Sequence, residues 1–125
     1  MIDLKTTLLI HNVLIEEFGG SKGIRDHGGL AAAIARPFAT FDGIDLYPEA
    51  IDKAAAIFES LIINHPFLDG NKRTAYALLR LTLLELDIDI IASEDEKYDM
   101  TISASKGELN FDGIKLWLSE KAKPL

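Results

Sequence analysis

Apolar residues recur at helical spacing along most of this chain, and the breaks between the runs are chemically marked. Asp3 is a good N-cap, and Leu4, Leu8, Leu9, Ile15 and Phe18 define a first helix that Gly19-Gly20 stops. Residues 21–29 read as a glycine-rich loop. A short alanine-rich helix over 30–35 ends at Arg36-Pro37. Residues 38–47 hold Phe41, Ile44, Leu46 and Tyr47 around Asp42-Gly43, which predicts a hairpin-like flap. Pro48 suits the first position of the next helix, with Glu49 in its first turn. Ile51, Ala54, Ala55, Phe58, Leu61 and Ile62 form that helix's stripe, and His65-Pro66 ends it.

A loop to Gly70 leads into residues 71–86, apolar nearly all round, which predicts the central helix of a bundle. Ser93 and Glu96 form a capping box for a helix that Gly107 ends. Asn110 caps a last helix carrying Ile114, Trp117 and Leu118, with Trp117 read as core. The expected class is an all-α bundle of about six helices with a small flap, as one domain over residues 1–125.

Composition narrows the picture. With 125 residues, 48% of them hydrophobic, the chain can bury a core without staples. It has no cysteine, which excludes disulfides and thiolate metal sites. No apolar run reaches membrane-spanning length and no cleavable signal pattern opens the chain, so a cytoplasmic location is expected. A net charge of −7 argues against nucleic acid as a direct partner. Within this acidic chain, Lys72-Arg73 is a local basic spot suited to a small anion such as a nucleotide phosphate.

That spot belongs to the run His65-Pro66-Phe67-Leu68-Asp69-Gly70-Asn71-Lys72-Arg73. Gly70 lets backbone approach a ligand. Free N–H groups at the helix start near Asn71 make an anion site, and Asn71 can bond a phosphate oxygen or brace the loop. Lys72 and Arg73 oppose the helix dipole in the first turn, a conflict that a bound anion relieves. Arg73 can grip phosphate with two bonds and Lys72 can act as a point charge. Asp69 is placed to hold Mg²⁺ beside phosphates. His65 can take a proton from a hydroxyl near neutral pH. These are the parts of phosphoryl or nucleotidyl transfer. Outside the run, Asp26 reads as the N-cap of the alanine-rich helix, and Arg25 is within reach of the site. His11 reads as facing solvent or a neighbour. Arg80, on a face similar to that of Arg73, is a candidate support for the phosphate pocket and would need a carboxylate partner if buried.

The run resembles the signature of the Fic/Doc family, His-x-Phe-x-Asp/Glu-Gly-Asn-x-Arg, at His65, Phe67, Asp69, Gly70, Asn71 and Arg73. Gly23-Ile24-Arg25-Asp26-His27-Gly28-Gly29-Leu30, Ala35-Arg36-Pro37 and Asp45-Leu46-Tyr47-Pro48 resemble the Doc (death-on-curing) branch. The resemblance implies a Fic-like helical fold. It implies His65 as general base on a Ser or Thr hydroxyl, Asp69 as the Mg²⁺ ligand, Gly70 and Asn71 as the anion hole and Arg73 on the phosphates of ATP. It also implies a type II toxin that phosphorylates elongation factor Tu, inhibits translation, and is held by an antitoxin whose disordered C-terminal segment covers the groove.

Adenylyl-transferring members usually carry a second Gly and a second Arg where this chain has Lys72 and Tyr76. Transfer of the γ-phosphate is therefore favoured over transfer of AMP. A catalytically silent module that binds nucleotide or antitoxin is a further reading. No inhibitory helix motif precedes the loop, so inhibition in trans is expected. The flap is expected to align the target segment.

Overall fold

The computed structural model describes residues 2–125. It is mainly helical, with two small antiparallel pairs of strands. Helix α1 (Leu4–Phe18) starts where the Asp3 carboxylate accepts the Thr6 N–H at 2.8 Å. Helix α2 (His27–Ala35) starts at His27, three residues before the expected Leu30, because Asp26 accepts the Gly29 N–H at 2.8 Å and draws Gly28 and Gly29 into the first turn. One 3₁₀ turn (Arg36–Phe38) follows.

The flap forms as strands β1 (Thr40–Phe41) and β2 (Ile44–Asp45), with Thr40 opposite Asp45 and Phe41 opposite Ile44. Asp42 and Gly43 both adopt positive φ, +52° and +76°, the backbone that a two-residue hairpin turn requires. At its base, Arg36 donates to the Tyr47 hydroxyl and to Glu59, and lies over the rings of Tyr47 and Phe111. That single guanidinium joins flap and helices.

Helix α3 (Ala50–Asn64) is capped by Glu49, so Pro48 precedes the helix rather than standing at its first position. Asp52 accepts the Glu49 N–H at 3.2 Å and so fixes the start two residues later, at Ala50. Helix α4 (Asn71–Leu84) ends two residues before the expected boundary. The central helix is α3, not α4: nine of its residues are buried against six of α4. The reason is size. Ala54, Ala55 and Ala56 are consecutive, together face about half the helix circumference, and are all 0% exposed, so neighbouring helices approach closely from several sides. Strand β3 (Ile88–Ile90) follows, then α5 (Glu94–Ser105) behind the Ser93–Glu96 capping box, and α6 (Phe111–Lys121) behind Asn110. Trp117 packs against the core.

Strand β4 (Ala122–Pro124) pairs with β3, with Ile90 opposite Ala122, an element the sequence reading did not foresee. Arg80 belongs to this corner. It is half-exposed and donates to both carboxylate oxygens of Asp89, at 3.0 and 3.1 Å, which holds the Asp89 pKa down to about 2. Arg80 does not line the cleft at the start of α4, where a phosphate pocket was expected. No helix among the described residues is long and apolar enough to cross a membrane.

Candidate active site

Two helix ends meet at the loop between α3 and α4. The residue that caps the first is His65, which adopts left-handed backbone (φ 45°, ψ 56°) while its N–H still bonds the Leu61 carbonyl at 3.2 Å. Phe67 plunges into the core (1% exposed), and Asn71 locks it there. The Asn71 amide accepts from the Phe67 N–H at 2.9 Å and donates to the Phe67 carbonyl at 3.0 Å. Of the two tasks expected for the Asn71 side chain, the structure shows the brace. Gly70 (φ +73°) occupies left-handed backbone, and a Cβ there would stand 3.0 Å from Ile15. The close approach it permits is to α1, so the loop lies flat on that helix.

Helix α1 and its terminal turn support the loop throughout. The His11 ring is buried (1% exposed) and stacks on Phe67 at 3.8 Å between centroids. Its Nε2–H donates to the Asp69 carbonyl at 2.8 Å, since a carbonyl can only accept. The Asp69 carboxylate accepts the Ser21 N–H at 3.2 Å and the Gly70 N–H at 2.8 Å. A Cβ on Gly20 would stand 2.7 Å from that carboxylate, so glycine is what admits it. The Phe18 ring lies under the Arg73 guanidinium at 4.8 Å. His11 thus faces a neighbour, and the neighbour is the site loop. No local pattern in the sequence marks that role, which depends on a contact 58 positions away.

No side chain caps α4, and its first helical bond is Thr74 N–H to the Gly70 carbonyl. The N–H groups of Asn71, Lys72 and Arg73 therefore precede the ladder, at the positive end of the helix dipole. Among the described residues, neither Lys72 nor Arg73 is paired with a carboxylate. Both are exposed.

His65, Asp69, Gly70, Asn71, Lys72 and Arg73 all line one open cleft of about 930 Å³. One face of α5 forms its far wall: Glu94, Lys97, Tyr98, Thr101 and Ile102, at helical spacing. Tyr76 lies between the walls. Its hydroxyl is buried without a hydrogen-bond partner, and burial pushes its pKa up to about 12. A volume of this order accommodates a nucleotide.

A family model described as "Fic/DOC family" matches residues 1–83, which include the entire loop. The chain belongs to the Fic/DOC family. Among relatives, it is similar to "Toxin Doc" of Mycolicibacterium smegmatis, 49% identical over 84 residues that cover 62% of this chain and 65% of that protein. It is also similar to "Protein kinase doc" of Escherichia phage P1, 27% identical over 107 residues, 86% of this chain and 83% of that one. The likeness is thus to the Doc branch, and in the first match the chain spans just under two thirds of the relative's length. In this Fic/DOC chain the loop, α1 and the flap lie within the family match, while the α5 wall lies beyond it.

Proposed function

We infer that the chain is a toxin of a toxin–antitoxin pair that transfers the γ-phosphate of ATP to a Ser or Thr hydroxyl of a protein. The carrying observation is the pair of cations without carboxylate partners, Lys72 and Arg73, at the uncapped start of α4, in the same cleft as the exposed His65. Two cations without carboxylate partners at a positive helix end are unfavourable unless an anion binds them. In a chain of net charge −7 such an arrangement needs a reason.

In the transfer, the His65 imidazole takes the proton of the target hydroxyl, and the oxygen so freed attacks the γ-phosphorus. The bond from that phosphorus to the β,γ-bridging oxygen breaks, and ADP leaves with the electron pair. Lys72, Arg73 and the free amides of α4 neutralise charge on the phosphates. The Asp69 carboxylate, with each oxygen already oriented by one amide, has acceptor capacity left for Mg²⁺. No cluster of three His, Asp or Glu residues among those described could hold a metal alone, so phosphate and water oxygens would complete the shell, as Mg²⁺ commonly requires. When bound, the ion supplies charge neutralisation at the phosphates.

Tyr76 bears on the choice of transferred group. Where a second arginine would reach a further phosphate, this chain has a phenol whose hydroxyl is buried. That supports γ-phosphate over AMP transfer. The "Toxin Doc" and "Protein kinase doc" names of the two relatives support the toxin and kinase readings. Elongation factor Tu as target, an antitoxin segment laid in the cleft and a cytoplasmic setting complete the proposal. The exposed flap residues Phe41 and Ile44 (70% and 71%) offer the edge for an extended target segment.

Incubation of purified chain and purified elongation factor Tu with ATP labelled at either phosphate tests the reading. Label from the γ-position is expected on the factor. Label from the α-position would instead establish adenylyl transfer, and absence of both would reject this target.

A further inference from the structure

We propose that Arg25 is a positioning residue that clamps the end of α3 and aims His65 into the cleft; the proposal rests on the role given to His65 above. His65 is a non-glycine residue in left-handed backbone, and it precedes Pro66, whose ring restricts it further. Such a conformation is unfavourable and persists only where the surroundings hold it. Arg25 does the holding. Its Nε donates to the His65 carbonyl at 2.9 Å, and its Nη2 donates to the same carbonyl at 2.6 Å and to the Asn64 carbonyl at 2.8 Å.

These carbonyls lie at the negative end of the α3 dipole, where a cation is favourable. The backbone beside Arg25 reinforces the grip. The N–H groups of Arg25 and Asp26 both donate to the Pro66 carbonyl, at 2.7 and 3.0 Å, Leu68 N–H donates to Gly23 at 3.1 Å, and Ile24 bridges Phe67. Yet Arg25 is exposed and does not line the cleft. It touches the peptide that carries the base, not the place where phosphates would sit. Its loss should therefore misdirect His65 and leave the phosphate cup intact.

The planar fork matters. A guanidinium reaches both carbonyls at once, whereas a lysine ammonium presents a single point. Arg25→Ala is expected to lower kcat about 10- to 100-fold, the scale of a small misplacement of a reacting group, with the Kd for ATP unchanged within about twofold. Arg25→Lys should fall between alanine and the parent. Amide hydrogen exchange without nucleotide should quicken at His65, Phe67 and Leu68 in Arg25→Ala and stay unchanged in the first turn of α4. The clamp is overturned if kcat of Arg25→Ala matches the parent, if lysine restores it fully, or if exchange at His65, Phe67 and Leu68 does not change. A parent chain that transfers nothing would sink the functional reading, and the exchange measurement would still decide the clamp.

Discussion

Replacing His65 by alanine is expected to reduce phosphoryl transfer by about 10²- to 10⁴-fold, the range that one positioned general base contributes. Stability should change little. The side chain is exposed, makes no hydrogen bond to another described residue, and caps α3 through its backbone alone. Alanine tolerates left-handed backbone somewhat less well than histidine, so any change should be a small loss. ATP binding should survive, because the amides and cations at the start of α4 are untouched. The loss would then lie in kcat rather than in affinity, the pattern of a group that acts in the transition state. In cells, the variant should no longer arrest growth. Arrest as strong as that of the parent would mean that toxicity proceeds without the imidazole, by sequestering a partner or by another chemistry.

The largest structural effect is expected from Phe67→Ala, about 3–5 kcal/mol of stability. Phe67 is 1% exposed, its ring lies parallel to that of His11 within 7°, and its backbone is held on both sides by Asn71. Removing the ring opens a cavity beneath the loop and leaves His11 without its stacking partner. A loss of this size corresponds to a fall in Tm on the order of 10 °C or more for a chain of this length. Both His65 and Asp69 lie within two residues of Phe67, so the folded remainder should also lose activity. Thermal unfolding followed by circular dichroism checks the first part. A stability loss under about 1 kcal/mol would show that the ring does not pin the loop as described.

Features set by near neighbours were legible in the sequence. The Asp3, Asp26 and Asn110 caps, the Ser93–Glu96 box and the Asp42-Gly43 turn each close within a few residues, and each appears in the fold. Features set across the chain were not. The pairing of β3 with β4 joins residues more than thirty positions apart, and three-residue strands carry no period of their own. The centrality of α3 has no marked sequence pattern because it comes from small side chains rather than from a wider apolar face. Lys72 and Arg73 were visible as types in a pattern, and their common cleft with His65 is now a matter of geometry. His11 and Arg25 act on backbone carbonyls 58 and about 40 positions away, and no local signal predicts such bonds. Arg80 shows the converse: the helix face suggested the phosphate pocket, but Asp89 on β3 captured it.

The proposed transfer requires nucleotide phosphates to bind at the start of α4. Titration of the ¹⁵N-labelled chain with ATP and Mg²⁺, followed by NMR, tests this directly. Saturable shifts are expected, largest at the amides of Asn71, Lys72 and Arg73 and weakened in Arg73→Ala. Saturable shifts centred elsewhere, or none at millimolar ATP with Mg²⁺ present, would contradict binding there.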